Sequence, residues 1–170
     1  MICHANVARS VAAAHLLSRA VDEQGAEIDL TTAGTHATVG QPVSSRTTSS
    51  LGTLLGEPVD LGTHRSRQVS DDDIRVADLI VTMEASQVRM IRRRHPAAAD
   101  RVATLTLLAR ELPKDARSLA VRVASMALAR REPDDADDVV DPAGGGDTEY
   151  TASMSTLMTL CGELGLRLAG

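Results

Sequence analysis

"ADLIVTM", residues 77–83, is the stretch that decides the fold. It is an almost continuous apolar run of strand length, and such a run suits a strand buried on both faces rather than one with a wet side. The segments around it have a helical period. Upstream, "SDDDIRVA" (70–77) offers Ser70 as a cap with acids in the first turn, a good start for a short helix. Downstream, "ASQVRMIRRRH" (85–95) returns to helix, and "RVATLTLL" (101–108) reads as a last strand.

The alternation continues towards the N-terminus. From Ser10 to about Gln24, apolar residues recur at Ala13, Leu16, Leu17, Ala20 and Val21, one face of a helix that Gly25 ends. "AEIDLTTAGT" (26–35) follows as a short strand running into a glycine turn, and "SSRTTSSLGTLLGEP" (44–58) as a weaker helix interrupted by Gly52. Strands alternating with helices give an α/β fold, a parallel sheet covered on both faces. Residues 112–139 differ in character: "SLAVRVASMALARR" (118–131) is an amphipathic helix and "EPDDADD" (132–138) an acidic loop. The last helix, residues 147–168, carries Leu157, Leu160, Cys161, Leu164 and Leu168 along one stripe. The expectation is a single domain over residues 1–170 with a helical and acidic insertion at about 112–139.

Composition narrows the function. With 170 residues the chain is long enough for a sizeable core, but it has no Phe or Trp and a single Tyr, so that core is aliphatic. The net charge of -5 provides no basic field for nucleic acid. Arg92, Arg93 and Arg94 read as a solvated helix end, and Asp134, Asp135, Asp137 and Asp138 as a solvated face. No run of 18 apolar residues and no segment of signal-peptide type appears, which points to a cytoplasmic chain without a membrane partner. The two cysteines, Cys3 and Cys161, lack metal-ligand spacing and suit two free thiols. Cys161, on the apolar stripe, reads as core.

The chemistry concentrates in "CHANVARS", residues 3–10. Five residues between Cys3 and Arg9 are enough to wrap backbone N–H groups round a tetrahedral oxyanion at the positive end of a helix. His4, Ala5, Asn6, Val7, Ala8, Arg9 and Ser10 would form that cradle, with the Arg9 fork meeting two phosphate oxygens. The same field favours a thiolate at Cys3, a nucleophile for in-line displacement. Taken alone, the Cys-to-Arg spacing suits a buried structural cysteine equally well, and Ser10 serves either as a helix cap or as a partner of the sulfur. The second signal lies in "VVDPAGG", residues 139–145, where Pro142 holds Asp141 extended before a glycine run. Asp141 on such a loop suits a general acid.

These residues resemble the low-molecular-weight protein tyrosine phosphatases. "CHANVARS" resembles that family's C-x-G-N-x-x-R-S phosphate loop and "TTAGTHA" (31–37) its S-A-G-T segment. "HRSRQVS" (64–70) resembles its H-x-x-R-x-hydroxyl segment, "ADLIVTM" the strand that follows, and "VVDPAGG" its D-P loop. The resemblance implies a three-layer α/β/α fold with a short, four-stranded central parallel sheet. It also implies a phosphomonoester hydrolase acting on protein phosphotyrosine or small aryl phosphates through a phosphocysteine. Cys3 is then the nucleophile, Arg9 the phosphoryl binder and Asp141 the acid and base. Asn6, Ser10, Thr32 and His64 form the supporting hydrogen-bond network. No metal or organic cofactor is implied, and the partners are a phosphorylated protein or small phosphoester, with a monomer or weak dimer as the state.

Several positions depart from the family. Ala5 stands where glycine is usual, Thr32 for serine, Ala8 for a cysteine of some members and Val11 for a frequent proline. Aromatic residues that flank the cleft elsewhere are missing, which leaves Tyr150 as the only ring of that kind for a substrate to stack on. Only Met1 and Ile2 precede Cys3, whereas a strand takes about five residues. The expectation is a first strand largely missing, with neighbouring strand edges and apolar faces exposed and the true start upstream. Two alternatives stand beside the phosphatase: an arsenate reductase on the same fold using an external thiol, and a phosphate-binding module with impaired turnover.

Overall fold

The computed structural model describes every residue from Met1 to Gly170. Four parallel strands, β1 (Ile2–Cys3), β2 (Ala33–Gly34), β3 (Ile80–Thr82) and β4 (Val102–Thr104), form one sheet in the order β2-β1-β3-β4. The helices are α1 (Arg9–Asp22), α2 (Ser45–Leu55), α3 (Asp71–Val76), α4 (Ala85–Arg94), α5 (Leu105–Glu111), α6 (Leu119–Ser125) and α7 (Asp147–Leu168). None is long and apolar enough to cross a membrane.

Strand alternation sorts the core into two parts. Ile2, Ile80 and Val102 point to one face and pack with Ile74 of α3 and Val88 and Ile91 of α4. Cys3, Val81 and Ala103 point to the other face, under α1, α2, α5, α6 and α7, where the larger cluster lies. This is the expected three-layer arrangement.

The first strand is as short as expected, but its consequence differs. β1 pairs with Ala33 and Gly34 on one side and with Thr82 on the other. The Met1 and Cys3 carbonyls accept from Ala33 N and Thr35 N at 3.1 and 2.9 Å, and the Ile2 carbonyl accepts from Met83 N at 3.1 Å. Met1, Ile2 and Cys3 are all buried. The physical reason is that every strand here is only two or three residues long, so a two-residue β1 fills the central slot and leaves no inner edge open.

Other differences have local causes. "RVATLTLL" splits after Thr104, whose Oγ accepts from Leu107 N at 3.3 Å and starts α5 as an N-cap. In "AEIDLTTAGT" only Ala33 and Gly34 join the ladder. The amphipathic run 118–131 breaks at Ala127, whose φ of 51° is left-handed, so α6 gives way to a short 3-10 turn over Leu128–Arg130. Asp137 is not solvated; it is buried against Arg110, at 2.6 Å. Ser70 caps α3 as expected, within a capping box completed by Asp73.

α1 and α7 pack so closely that Gly165 is a contact point. A Cβ on Gly165 would lie 2.6 Å from the Ala20 Cβ, whereas one on Gly162, a turn away, would meet nothing within 4 Å. The two glycines are therefore expected to respond with opposite signs. Gly162→Ala raises stability by up to about 1 kcal/mol through helix propensity. Gly165→Ala lowers it by about 1–3 kcal/mol through overpacking. Urea titration of the two variants checks this.

Candidate active site

The loop from His4 to Ala8 joins the end of β1 to the start of α1, the C-terminal edge of a parallel sheet where such folds place ligands. Asn6 turns it. Its φ of 58° is left-handed, a conformation that asparagine tolerates better than most side chains. Every polar group of this buried residue has a partner. Oδ1 accepts from Arg67 N at 3.0 Å, Nδ2 donates to Ser10 Oγ at 3.0 Å, and the carbonyl accepts from His64 Nε2 at 2.7 Å. The Asn6 N–H donates to Cys3 Sγ at 3.3 Å. Ser10 Oγ lies 3.1 Å from the same sulfur and, already accepting from Asn6, has its proton free to donate. Cys3 Sγ thus sits under two donors.

The N–H groups of Ala5, Val7, Ala8 and Arg9 donate to no other protein group. Together with the N-terminus of α1 they form a concavity suited to an anion. Ala5 keeps a negative φ, so a Cβ is accommodated where the family's glycine is usual. From outside, β2 presses on the loop: a Cβ on Gly34 would lie 2.6 Å from the His4 carbonyl oxygen. Thr35 and His36 donate backbone bonds to Cys3 and His4, each at 2.9 Å. The exposed rings of His4 and His36 stack with centroids 4.7 Å apart.

Arg9 is 2% exposed and ties three segments together. Nη1 donates to the Val139 carbonyl at 2.9 Å and lies 2.6 Å from Glu84 Oε1, while Nη2 bonds Asp141 Oδ2. A buried guanidinium requires carboxylate partners, and here it has two, both partly open to solvent. Asp141 keeps its other oxygen for Ala143 N at 3.0 Å, as the cap of a 3-10 turn whose first residue is Pro142. Its side chain stays 46% exposed, open to the solvent side of the loop.

Of the residues singled out in the sequence, Cys3, Asn6, Arg9, Ser10, His64 and Asp141 come together. Thr32 does not: it makes no side-chain hydrogen bond to the loop. The register pairs Ala33 with Ile2 and Gly34 with Cys3, which leaves Thr32 level with Met1 and short of the loop. The Arg67 backbone N–H, with His64, completes the partners of Asn6. Tyr150 also departs from expectation, being 3% exposed under Arg46, so no substrate ring reaches it. Glu84 was missed; a carboxylate directly following the β3 apolar run, at the ligand-bearing end of the strand, is the signal that points to it. Asp138, expected in solvent, accepts from Ala85 N at 2.6 Å at the start of α4, and burial raises its pKa.

Arg67 also anchors through its side chain. Its guanidinium bonds Asp73 at 2.7 Å and, with help from Ser70, holds that carboxyl down from 3.8 to about 2. A depressed carboxylate stabilises the fold above its unfolded pKa, and the gain is lost as pH falls through the folded value. The stability gap between wild type and Asp73→Asn is therefore expected to be full at pH 6 and to close between about pH 4 and pH 2. Thermal melting across that range checks it, and a gap that widens in acid overturns it.

A family profile described as low molecular weight phosphotyrosine protein phosphatase matches residues 1–120. The probable low molecular weight protein-tyrosine-phosphatase EpsP of Ralstonia solanacearum is 30% identical over 97 residues, a match spanning 57% of this chain and 62% of that protein. Thus the chain aligns with less than two thirds of that relative's length. Among solved structures, the low molecular weight protein tyrosine phosphatase of T. tengcongensis superposes with a TM-score of 0.74 at 24% identity, covering 96% of this chain and 93% of that one. The YwlE arginine phosphatase of Geobacillus stearothermophilus gives 0.70 at 26% identity, covering 96% and 87%. Wzb of Escherichia coli K30, solved with phosphate, gives 0.71 at 18% identity over 98% and 88%, a likeness of fold alone.

Proposed function

We propose that this chain, which belongs to the low molecular weight phosphotyrosine protein phosphatase family, hydrolyses phosphomonoesters, aryl phosphates such as protein phosphotyrosine first among them, through a phosphocysteine. The observation that carries this is the placement of Cys3 Sγ beneath two hydrogen-bond donors in a loop of free N–H groups, with Arg9 bridging to Asp141.

The phosphoryl group enters the loop, and its equatorial oxygens meet the backbone N–H groups and the Arg9 fork. They take over the guanidinium edge that Asp141 holds, which frees the carboxyl for the leaving oxygen. The Cys3 thiolate attacks phosphorus in line; the S–P bond forms as the P–O bond to the leaving group breaks, and Asp141 in its acid form delivers a proton to that oxygen. Water then attacks the phosphocysteine, Asp141 accepts its proton, the S–P bond breaks, and phosphate and thiolate are released. No step draws on a metal or organic cofactor.

Cys161 bears on the arsenate alternative. It is fully buried between α1 and α7, and burial pushes its thiol up to about 12, so it does not suit a relay of electrons from Cys3. That leaves the external-thiol route alone for a reductase, and ranks the phosphatase first.

Steady hydrolysis of phenyl phosphate and of a phosphotyrosine peptide is expected, with phosphoarginine assayed beside them. Cys3→Ser is expected to abolish turnover, and Asp141→Asn to slow phenyl phosphate by about 10²–10⁴-fold. Acid quench in mid-turnover should trap phosphate on Cys3. Retained turnover in Cys3→Ser, or thiol-dependent arsenate reduction without phosphatase activity, would falsify the mechanism.

A further inference from the structure

The start of α7 touches both halves of the site. Tyr150 and Ser153 lie three residues apart, on one face of the helix, and both are buried, at 3% and 5% exposure. The Tyr150 hydroxyl lies 2.7 Å from Thr47 Oγ, and Thr47 Oγ donates to the Val7 carbonyl of the phosphate loop at 3.5 Å. Either hydroxyl can donate in the short Tyr150–Thr47 contact, and the pair together reaches the Val7 carbonyl. Ser153 Oγ donates to the carbonyl of Val140, the residue before Asp141, at 3.0 Å. One turn of helix therefore reaches the nucleophile's loop through the Tyr150–Thr47 hydroxyl pair and the acid's loop through Ser153 directly.

The surroundings reinforce this. Arg46 of α2 covers the Tyr150 ring at 4.3 Å and donates to the Gly145 carbonyl, at the far end of the acid's loop, at 3.2 Å. Thr47 and Tyr150 are buried, so each hydroxyl would cost stability if it served only to fill space.

Resting on the phosphatase reading, we propose that Tyr150 and Ser153 are positioning residues, which set Asp141 against the Cys3 loop through the first two turns of α7. They touch no reacting atom. Loss of Ser153 should weaken proton delivery by Asp141 while leaving phosphate binding by the loop in place; loss of the Tyr150 hydroxyl should weaken proton delivery and loosen the phosphate loop as well.

Leaving-group dependence tests this on the full chain, with Tyr150→Phe, which keeps the ring under Arg46, and Ser153→Ala. Phenolate needs a proton to leave, whereas 2,4-dinitrophenolate leaves without one. For phenyl phosphate, kcat/KM is expected to fall about 10- to 100-fold in each variant, the scale of a catalytic group displaced by about an ångström. For 2,4-dinitrophenyl phosphate the Ser153→Ala value should change less than about twofold, with inhibition by inorganic phosphate at the wild-type level. Tyr150→Phe, which also loosens the phosphate loop, should lose on both substrates but more on phenyl phosphate. Equal falls on both substrates, or wild-type rates on phenyl phosphate in both variants, overturn the positioning role while the phosphatase reading stands. Wild type that hydrolyses neither substrate overturns both together.

Discussion

A buried positive charge organises this molecule. Arg9 opens α1, the helix that follows the anion-binding loop, and its guanidinium has almost no contact with solvent. Such a group needs carboxylates and carbonyls arranged about it, since unpaired it would cost several kcal/mol. Glu84 from the end of β3 and Asp141 and Val139 from the 139–145 loop meet that demand. Segments more than fifty residues apart in the chain are thus drawn to one point by the electrostatics of one side chain. That point lies beside the Cys3 loop, so the forces that stabilise the fold also gather the residues of the candidate site.

The sheet that carries this is minimal. Strands of two and three residues supply little ladder, and the cohesion comes from helices stacked on both faces and from side chains that close helix ends. Arg167 donates to the Ala109 and Leu112 carbonyls behind α5, and Arg122, itself buried, closes the end of α7 through the carbonyls of Arg167 and Leu168. In a chain with one lysine, these arginines serve as structural caps more than as a surface charge. The residues 112–139 that looked like an appended insertion are joined to the body in this way.

Much of this was legible in the sequence, and for identifiable reasons. The 77–83 run suited a buried strand and holds one at Ile80–Thr82, Ser70 announced a capped helix, and the phosphate-loop pattern grouped Cys3, Asn6, Arg9 and Ser10, because each depends on local spacing. What stayed hidden depends on pairing across the fold. Thr32 looked suitable by type, but strand register set it level with Met1. Glu84 and Asp137 look like ordinary surface acids until Arg9 and Arg110 are seen beside them. The brevity of β2 and the switch from β4 to α5 at Thr104 are likewise decided by partners and caps that no periodicity displays.

The absence of Phe and Trp has an optical consequence. Tyr150 is the chain's only fluorophore of note, and it lies between Arg46 of α2 and the hydroxyl of Thr47, one residue pair away from the phosphate loop. Ultraviolet emission and near-ultraviolet dichroism of the whole protein therefore come from a single joint beside the candidate site. Any ligand that disturbs this joint writes its own spectroscopic record, without a label and without background from the rest of the molecule.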